Sequence, residues 1–528
     1  MTKLFDVGGQ FPDDASLERL AKYEIGRKIF KGRLEEIRDR ALAIYKSDDS
    51  RRMQYEQLKT LLIVVNLPDI LLTKPADLMV GETPSYETGL SDETREQKAL
   101  ADIVEKNSIS KMIHETVIGG GYRGDSFLKV RNDYREDFSE TPDGKPPSGV
   151  KREPIVEPID PSFVFPETSD KNRKKFKAIN VAFVDWVDGG KEEIPFLEVE
   201  RHVPGYIYRE RFRLTGQRVE RVDDVDISVF DINEQIGETE VIETGIPRLL
   251  VFHIPYKTTD DEWQGISGVE KMESVLQAIN ERLVQIDYIL WKHADPTMYG
   301  PDLENNAQQI GTSGMYIKVE KEDHTPGAVT WDSKMDGAFR ELDYLIGIVY
   351  QLAETPQWLF GTVISERGTD GGTGTSHTDS AAIKSRFMPI LSKVKRIRMH
   401  VDTAIRDALL TAMEIENRAN DGVDDFEPYE PIRPVIKWKD GIPANEKELA
   451  EIVAIRTGNK PNLDVQSAIK MQDEVDDKKA KEIMRRIKRD EEDTFGTVDA
   501  SIFNATKQEQ QEKPEEESEK EKFESGDK

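Results

Sequence analysis

Between Gly268 and His293 the chain places Val269, Met272, Leu276, Ile279, Leu283, Ile286 and Leu290 at three- and four-residue steps among polar residues. Only a helix gathers such positions on one side, so the stretch predicts a seven-turn helix about 39 Å long with one apolar stripe. It is long enough to act as a strut. Asp295-Pro296 ends it, because proline lacks the N–H that the next turn needs. Short strand signals come next (Met315 to Val319, Ala328 to Trp331), and then Phe339, Leu342, Leu345, Ile346, Val349 and Leu352 form a second stripe over Met335 to Glu354. Beyond Trp358-Leu359-Phe360, the glycines between Gly368 and Gly374 predict an exposed flexible loop with nothing to bury. Ser380 to Asn417 is the longest periodic segment, running from Ile383 to Met413, with a kink expected at Pro389.

The N-terminal third begins helically. Leu17, Leu20, Ile25 and Ile29 recur at helical spacing with Ser16 as a capping candidate, as do Leu34, Ile37, Ala41 and Ile44. A second helical block covers Met53 to Asn66, and Pro68, Pro75 and Pro84 are expected to break the adjoining segment into short buried pieces. A third block, Glu93 to Ile118, is expected to stop at three glycines. From Asp125 to about Phe252 the period becomes two, as in Phe196 to Val203 and Tyr206 to Leu214, which predicts a half-exposed sheet. Asp188-Gly189-Gly190 and Thr215-Gly216-Gln217 read as hairpin turns, so an antiparallel meander is expected. Glu136 to Lys151 reads as a mobile loop. Helices return from Glu446 to about Arg489, and beyond Gln508 nine acids and almost no apolar residue predict a disordered tail. No fixed-period repeat is visible.

The balance of charge excludes a protein that grips phosphate over its whole surface: 74 basic against 102 acidic residues leave a net charge of −28 over 528 residues. Cysteine is absent, which removes disulfides, thiolate metal sites and Cys nucleophiles together. The opening residues carry no apolar leader, and the longest aliphatic run, Leu61 to Val65, is far too short for a membrane span, so use without export is expected. Asn504-Ala505-Thr506 is then a chance glycosylation sequon.

Catalytic motifs fail on context or spacing. Gly119-x-Gly121-x-x-Gly124 has the letters of a dinucleotide fingerprint, but a helix precedes it and a strand comes after, the reverse of what the pyrophosphate needs; a loop between the two is expected. No Gly-Lys-Ser/Thr forms a P-loop, His114-Glu115 has Ile118 where a second zinc ligand would stand, and Gly265-Ile266-Ser267-Gly268 is one residue short of a nucleophile elbow. The other histidines (202, 253, 293, 324, 377 and 400) are scattered, so no metal and no cofactor is expected. Asp223-Asp224-Val225-Asp226 and Asp332-Ser333-Lys334 read as solvated acids rather than a two-metal centre. The basic cluster Lys393, Lys395, Arg396 and Arg398, with His400 nearby, supports two readings equally: contact with phosphate, or ion pairs with acids of neighbouring helices.

The order of these parts, two struts around a small mixed insert, a Gly-rich loop and a long kinked helix, resembles the portal proteins of tailed bacteriophages. The local text is similar to that family in NLPDILLTKPADLMVGETP, in VFHIPYKTTDDEWQGISGVEKMESVLQAINERL and in QLAETPQWLFG. The resemblance spans roughly residues 20 to 490 and implies an α+β, mainly helical portal fold. Its parts would be a wing of helices and antiparallel sheet (1–267), stem helices (268–293 and 332–357) around a small α/β clip (294–331), a tunnel loop (358–379), a long kinked helix (380–418), a return to the wing (419–445), crown helices (446–495) and an acidic tail (496–528). It implies no enzyme but a homo-oligomeric ring, usually a dodecamer, at one capsid vertex of the virion, assembled in the host bacterial cytoplasm. Double-stranded DNA would pass through it in packaging and ejection, without sequence specificity and without a membrane. Terminase, head-completion and adaptor proteins, and the major capsid and scaffolding proteins would be its partners. Glu366, Arg367 and Asp370, with Lys393, Lys395, Arg396 and Arg398, would face the DNA channel, and Glu320, Lys321, Glu322 and Asp323 of the clip would meet partners. An acidic wall suits that role, since each phosphate neutralised adds salt-dependent affinity and would hold a duplex that must slide. The competing readings are a packaging-associated nuclease or ATPase and a non-ring structural adaptor of the virion.

Overall fold

The computed structural model describes residues 3–32, 65–141, 144–190, 192–223, 225–294, 298–300, 316–318, 327–328, 335–360, 380–423, 426–441, 446–458, 461–473, 475 and 477–495. The sequence expectations for 34–44, for most of 53–66 and for the acidic tail fall outside them, as do the Gly-rich loop and Glu320 to Asp323. The chain divides into two compact units, Met1–Ile442 and Pro443–Lys528. Both helix and sheet are present, as an α+β chain requires.

The first unit begins with β1 (Gln10–Phe11) and α1 (Asp14–Phe30). Asp13, not Ser16, stands at the N-cap; the Ser16 hydroxyl donates to its carboxylate at 2.7 Å. Helix α2 (Leu67–Val80) corrects the expectation of broken pieces, for it runs through two prolines. Pro68 lies in the first turn, where the missing N–H has no partner to lose, and burial of Leu71, Leu72, Ala76 and Met79 offsets the interior bond lost at Pro75. After β2 (Ser85–Glu87), the expected third helix is two, α3 (Arg95–Lys106) and α4 (Ile109–Arg123), separated by Ser108 in a left-handed conformation at φ 47°.

The glycines of the false fingerprint do not stop α4. Gly119, Gly120 and Gly121 lie inside it, packed so closely that a Cβ on Gly121 would stand 3.1 Å from Leu72, and the helix ends at Gly124. Gly124 has φ 96°, a conformation that L side chains avoid.

The strands form two main sheets. Strands β3 (Asp125–Asp133) and β4 (Glu153–Ile159) join β11 (Val251–Pro255) in a three-stranded antiparallel sheet in the order β11-β3-β4. The second sheet contains β5 (Val164–Ser169), β6 (Asn172–Asp188), β7 (Glu193–Val203), β8 (Tyr206–Val222) and β9 (Val225–Gln235), with β1 at one edge and β10 (Glu240–Glu243) on β8. It is an antiparallel meander. The Asp188-Gly189-Gly190 turn is where the sequence puts it, closed by Gly189 N–H to Glu192 C=O at 3.1 Å. Thr215-Gly216-Gln217 is instead a bulge inside β8, since Thr215 pairs with Asp231 but Arg218 with Val229. One extra residue is accommodated there and the strand continues. Nor is the sheet half-exposed throughout. Leu197, Val199, Phe212 and Leu214 pack in a core with Phe5, Phe11 and Phe165, whereas His202 and Ile207 are buried on the opposite face. Residues 134–141 and 145–152 carry neither helix nor strand.

A 3-10 turn at Glu270–Met272 leads into α5 (Glu273–Ala294). A small three-stranded piece comes next: β12 (Met298–Gly300) pairs parallel with β13 (Tyr316–Lys318) and antiparallel with β14 (Gly327–Ala328). Then come α6 (Met335–Leu352) and α7 (Ser380–Ala419), a 40-residue helix that continues through Pro389 and would span about 60 Å. Val394, Ile397, Val401, Ile405, Leu409 and Met413 of α7 belong to the main core, shared with α2, α3, α4 and β3. Strand β15 (Val435–Lys437) returns to pair with β2. The second unit contains α8 (Glu446–Thr457), α9 (Val465–Asp473) and α10 (Asp477–Phe495), the last two tied by Lys470 to Asp477 at 2.5 Å.

Candidate functional site

Helices α5 and α6 lie antiparallel. The Arg282 guanidinium of α5 meets Glu341 near the start of α6 at 2.6 Å, and Lys271, just before α5, lies beside Leu352 at the end of α6. The facing stripes bury Leu276, Ile279 and Ile286 against Leu342 and Val349. Other apolar side chains of the pair remain outside: Leu290 is 54% exposed, Phe339 43% and Tyr344 71%. An amphipathic strut that still shows large apolar groups has a face to cover.

The end of α6 is built with care. Thr355 N–H donates to Tyr350 C=O and Glu354 N–H to Gln351 C=O, each at 3.1 Å, with Glu354 at φ 53°. This is a Schellman cap, whose left-handed position ordinarily takes glycine. Glutamate costs about 1 kcal/mol there. What it supplies is charge, because Glu354 pairs with Arg396 of α7. Lys393, one turn earlier on α7, donates from Nζ to Ala353 C=O at 2.9 Å. Two cations thus sit at the carbonyl end of α6, where the helix dipole favours them. Arg398 donates to Lys439 C=O at 2.9 Å and stacks over the Trp438 ring.

Of the basic cluster, therefore, Lys393, Arg396 and Arg398 have acceptors within the chain, and Lys395 is exposed. Glu354 and Tyr256, which border this junction, do not stand out in the sequence. Their partners lie far along the chain, and no local spacing announces them. Glu366, Arg367, Asp370, Glu320, Lys321, Glu322 and Asp323 lie outside the described residues.

Lys393 is 6% exposed, and burial, only partly countered by Glu354, holds its amine down to about 8. A lysine with a depressed folded-state value binds fewer protons folded than unfolded between about 8 and the ordinary 10.5, so stability rises with pH across that window. The expected gain between pH 7 and pH 10 is on the order of 2 kcal/mol. Urea unfolding of the native chain and of Lys393→Met at both pH values should show that increment in the first and lose it in the second.

His114 meets Asp77 at 3.1 Å, His253 meets Asp125 at 2.6 Å, and burial pushes His202 down to about 4, so it is neutral at physiological pH. Among the described residues no group of three His, Asp or Glu side chains is arranged to hold a metal ion. Asp223 and Asp226 flank the β8–β9 turn, while Asp332 to Lys334 lie outside the described residues. No helix among the described residues is long and apolar enough to cross a membrane. No protein-family model matches the chain, and no curated protein matches it.

Proposed function

We propose that this chain is a portal protein of a tailed bacteriophage. Many copies would close into a ring at one capsid vertex and conduct double-stranded DNA during packaging and ejection. The observation that carries the reading is an order of elements: antiparallel struts α5 and α6 bracketing a small three-stranded insert, then a 40-residue helix with a proline inside it. The exposed Phe339, Tyr344 and Leu290 support it, since neighbouring copies side by side would cover them. So does the charge of −28, which suits a wall past which a polyanion slides.

On this reading the insert is the clip, with Glu320 to Asp323 meeting terminase or head-completion proteins, and Glu366, Arg367 and Asp370 line the channel. The ring would be a dodecamer assembled with scaffolding and major capsid proteins in the bacterial cytoplasm and carried in the virion. Lys393 and Arg396 bind the end of α6 and Arg398 binds the segment at Trp438 and Lys439, which leaves Lys395 as the member of that cluster to face DNA.

Electron microscopy of the purified full-length chain is the test. Circular particles with a central opening wide enough for duplex DNA are expected, and only monomers or dimers would overturn the proposal. The double substitution Phe339→Glu and Tyr344→Glu should shift the assembly to single chains. Because both side chains point outward, single-chain stability should change by less than about 1 kcal/mol. Intact rings in that variant would remove the struts from the interface.

A further inference from the structure

Helix α10 turns about 100° per residue, which sorts the side chains of residues 477–491 onto two faces. Ala480, Ile483, Met484 and Ile487 share one. Ala480 is fully buried and Ile483 and Met484 are half-buried, for this is the face that α10 packs on α9. On the opposite side Lys478, Lys481, Arg485, Lys488 and Arg489 fall within an arc of about 100°, and all five are exposed. No acid of residues 477–491 falls inside that arc. The two that border it are engaged, Asp477 with Lys470 and Glu482 with Arg486. Among the described residues, no ion pair and no side-chain hydrogen bond reaches any of the five cations.

Elsewhere the helices of this chain balance such charges. Lys22 pairs with Glu18, Lys111 with Glu115 and Arg406 with Asp402, each four residues away. On α10 the same spacing sets cation beside cation, at 478 and 481, 481 and 485, 485 and 488, and 485 and 489, and each such pair destabilises a helix. In a chain with 102 acids, this face is left without one. What relieves the repulsion is a ligand carrying several negative charges in a row.

We propose that the basic face of α10 docks on the phosphate backbone of double-stranded nucleic acid, without regard to base sequence. Length agrees, because Lys478 to Arg489 covers about 17 Å of helix axis, over which one strand of a B-form duplex presents about five phosphates. The face has no aromatic side chain, so the base stacking that holds single strands has no platform. A membrane surface would need the apolar face free, and that face is turned onto α9. Contacts to phosphate alone carry no sequence information. In a chain of net charge −28 the attachment is local and labile to salt. It rests on α10 alone and stands whether or not the chain is a portal.

Fluorescence anisotropy of a short labelled duplex, titrated with the full chain at salt concentrations from about 50 to 200 mM, reads the docking. Five phosphate contacts give a log–log salt slope of about −4.5, a loss of about 500-fold in affinity over that range. Lys481→Gln, Arg485→Gln and Lys488→Gln together leave the apolar face untouched; they should bring the slope to about −2 and lower affinity at the low-salt end at least about tenfold. Lys171→Gln, Arg173→Gln and Lys175→Gln remove the same charge from exposed positions in and after the β5–β6 turn, and should leave slope and affinity within about twofold. Both triple variants should keep the native Tm and assembly state, so lost binding reports on this face and not on the ring. A chain that stays monomeric yet binds the duplex through α10 would support the site while overturning the portal. No binding at low salt, or equal losses in the two triple variants, would overturn the site. Displacement of the duplex by polyglutamate at equal charge concentration would overturn its assignment to nucleic acid and give the face to an acidic protein segment.

Discussion

Replacing Asp125 with alanine is expected to cost about 4 kcal/mol of folding stability, because three donors lose one shared acceptor at about 1 to 3 kcal/mol each. Asp125 is completely buried at the first position of β3, and its carboxylate serves three segments at once. Tyr23 of α1 donates its hydroxyl to Oδ2 at 2.6 Å, His253 of β11 meets Oδ1 at 2.6 Å, and Gly265 N–H donates to Oδ1 at 2.7 Å. Alanine would leave a buried hydroxyl, a half-buried imidazole and a half-buried amide without their shared acceptor. Phe127, Phe176 and Trp263 surround His253, so water has little access to replace what is lost. Asp125→Asn, which keeps the shape and one carbonyl acceptor, should lose roughly half as much. Urea denaturation of both variants checks the prediction. A loss below about 1 kcal/mol for alanine would mean that the network is not holding α1 against the sheet.

The second large effect is expected one residue earlier. Gly124→Ala places a side chain at φ 96° and brings its Cβ to 2.4 Å from Gly265 O, a contact that real Cβ atoms do not make. Backbone strain and the forced displacement of the 265–267 segment together should cost about 3 kcal/mol. Gly265→Ala separates the two causes. Its own φ is not left-handed, yet its Cβ would stand 1.9 Å from Gly124 O, so any loss there is steric. The same segment is tied down by Tyr256 N–H to Gly124 C=O at 2.8 Å and by Gly268 N–H to Gly121 C=O at 2.7 Å. The start of the first strut is therefore docked on the end of α4 by close backbone approach, which only glycine at these positions permits. Thermal melts of the two variants, read against the native chain, measure both terms.

How much of this is legible in sequence differs between element types for a physical reason. The strut and long-helix segments announce themselves because a buried stripe at 3.6 residues per turn is a local pattern: Gly268 to His293 becomes a 3-10 turn and α5, and Ser380 to Asn417 becomes α7. The glycines at 119 to 121 and the prolines at 68 and 75 mislead for the opposite reason. Each looks like a breaker on its own, and only the packing of α4 against Leu72, or of α2 into the core, makes the helix worth continuing. Thr215-Gly216-Gln217 reads as a turn because a bulge and a hairpin use the same residues; the register of β9 decides between them. On α7 the sequence offers a basic cluster with two equal readings, and folding brings acceptors to three of its members from far along the chain: the carbonyl of Ala353 to Lys393, the carboxylate of Glu354 to Arg396 and the carbonyl of Lys439 to Arg398.

By itself, then, the order of residues determined where the long helices and the meander lie, because periodicity is a pattern among near neighbours, and it set the net charge of −28, which is a sum over composition that no fold alters. The tertiary structure alone decided that Asp125 joins three segments, that Gly124 and Gly265 bring two backbones into contact, and that Tyr256, Glu354 and Lys393 share one pocket. Those groups are separated by tens to hundreds of residues along the chain. Their chemistry arises from buried donors and acceptors that only folding brings within hydrogen-bond reach.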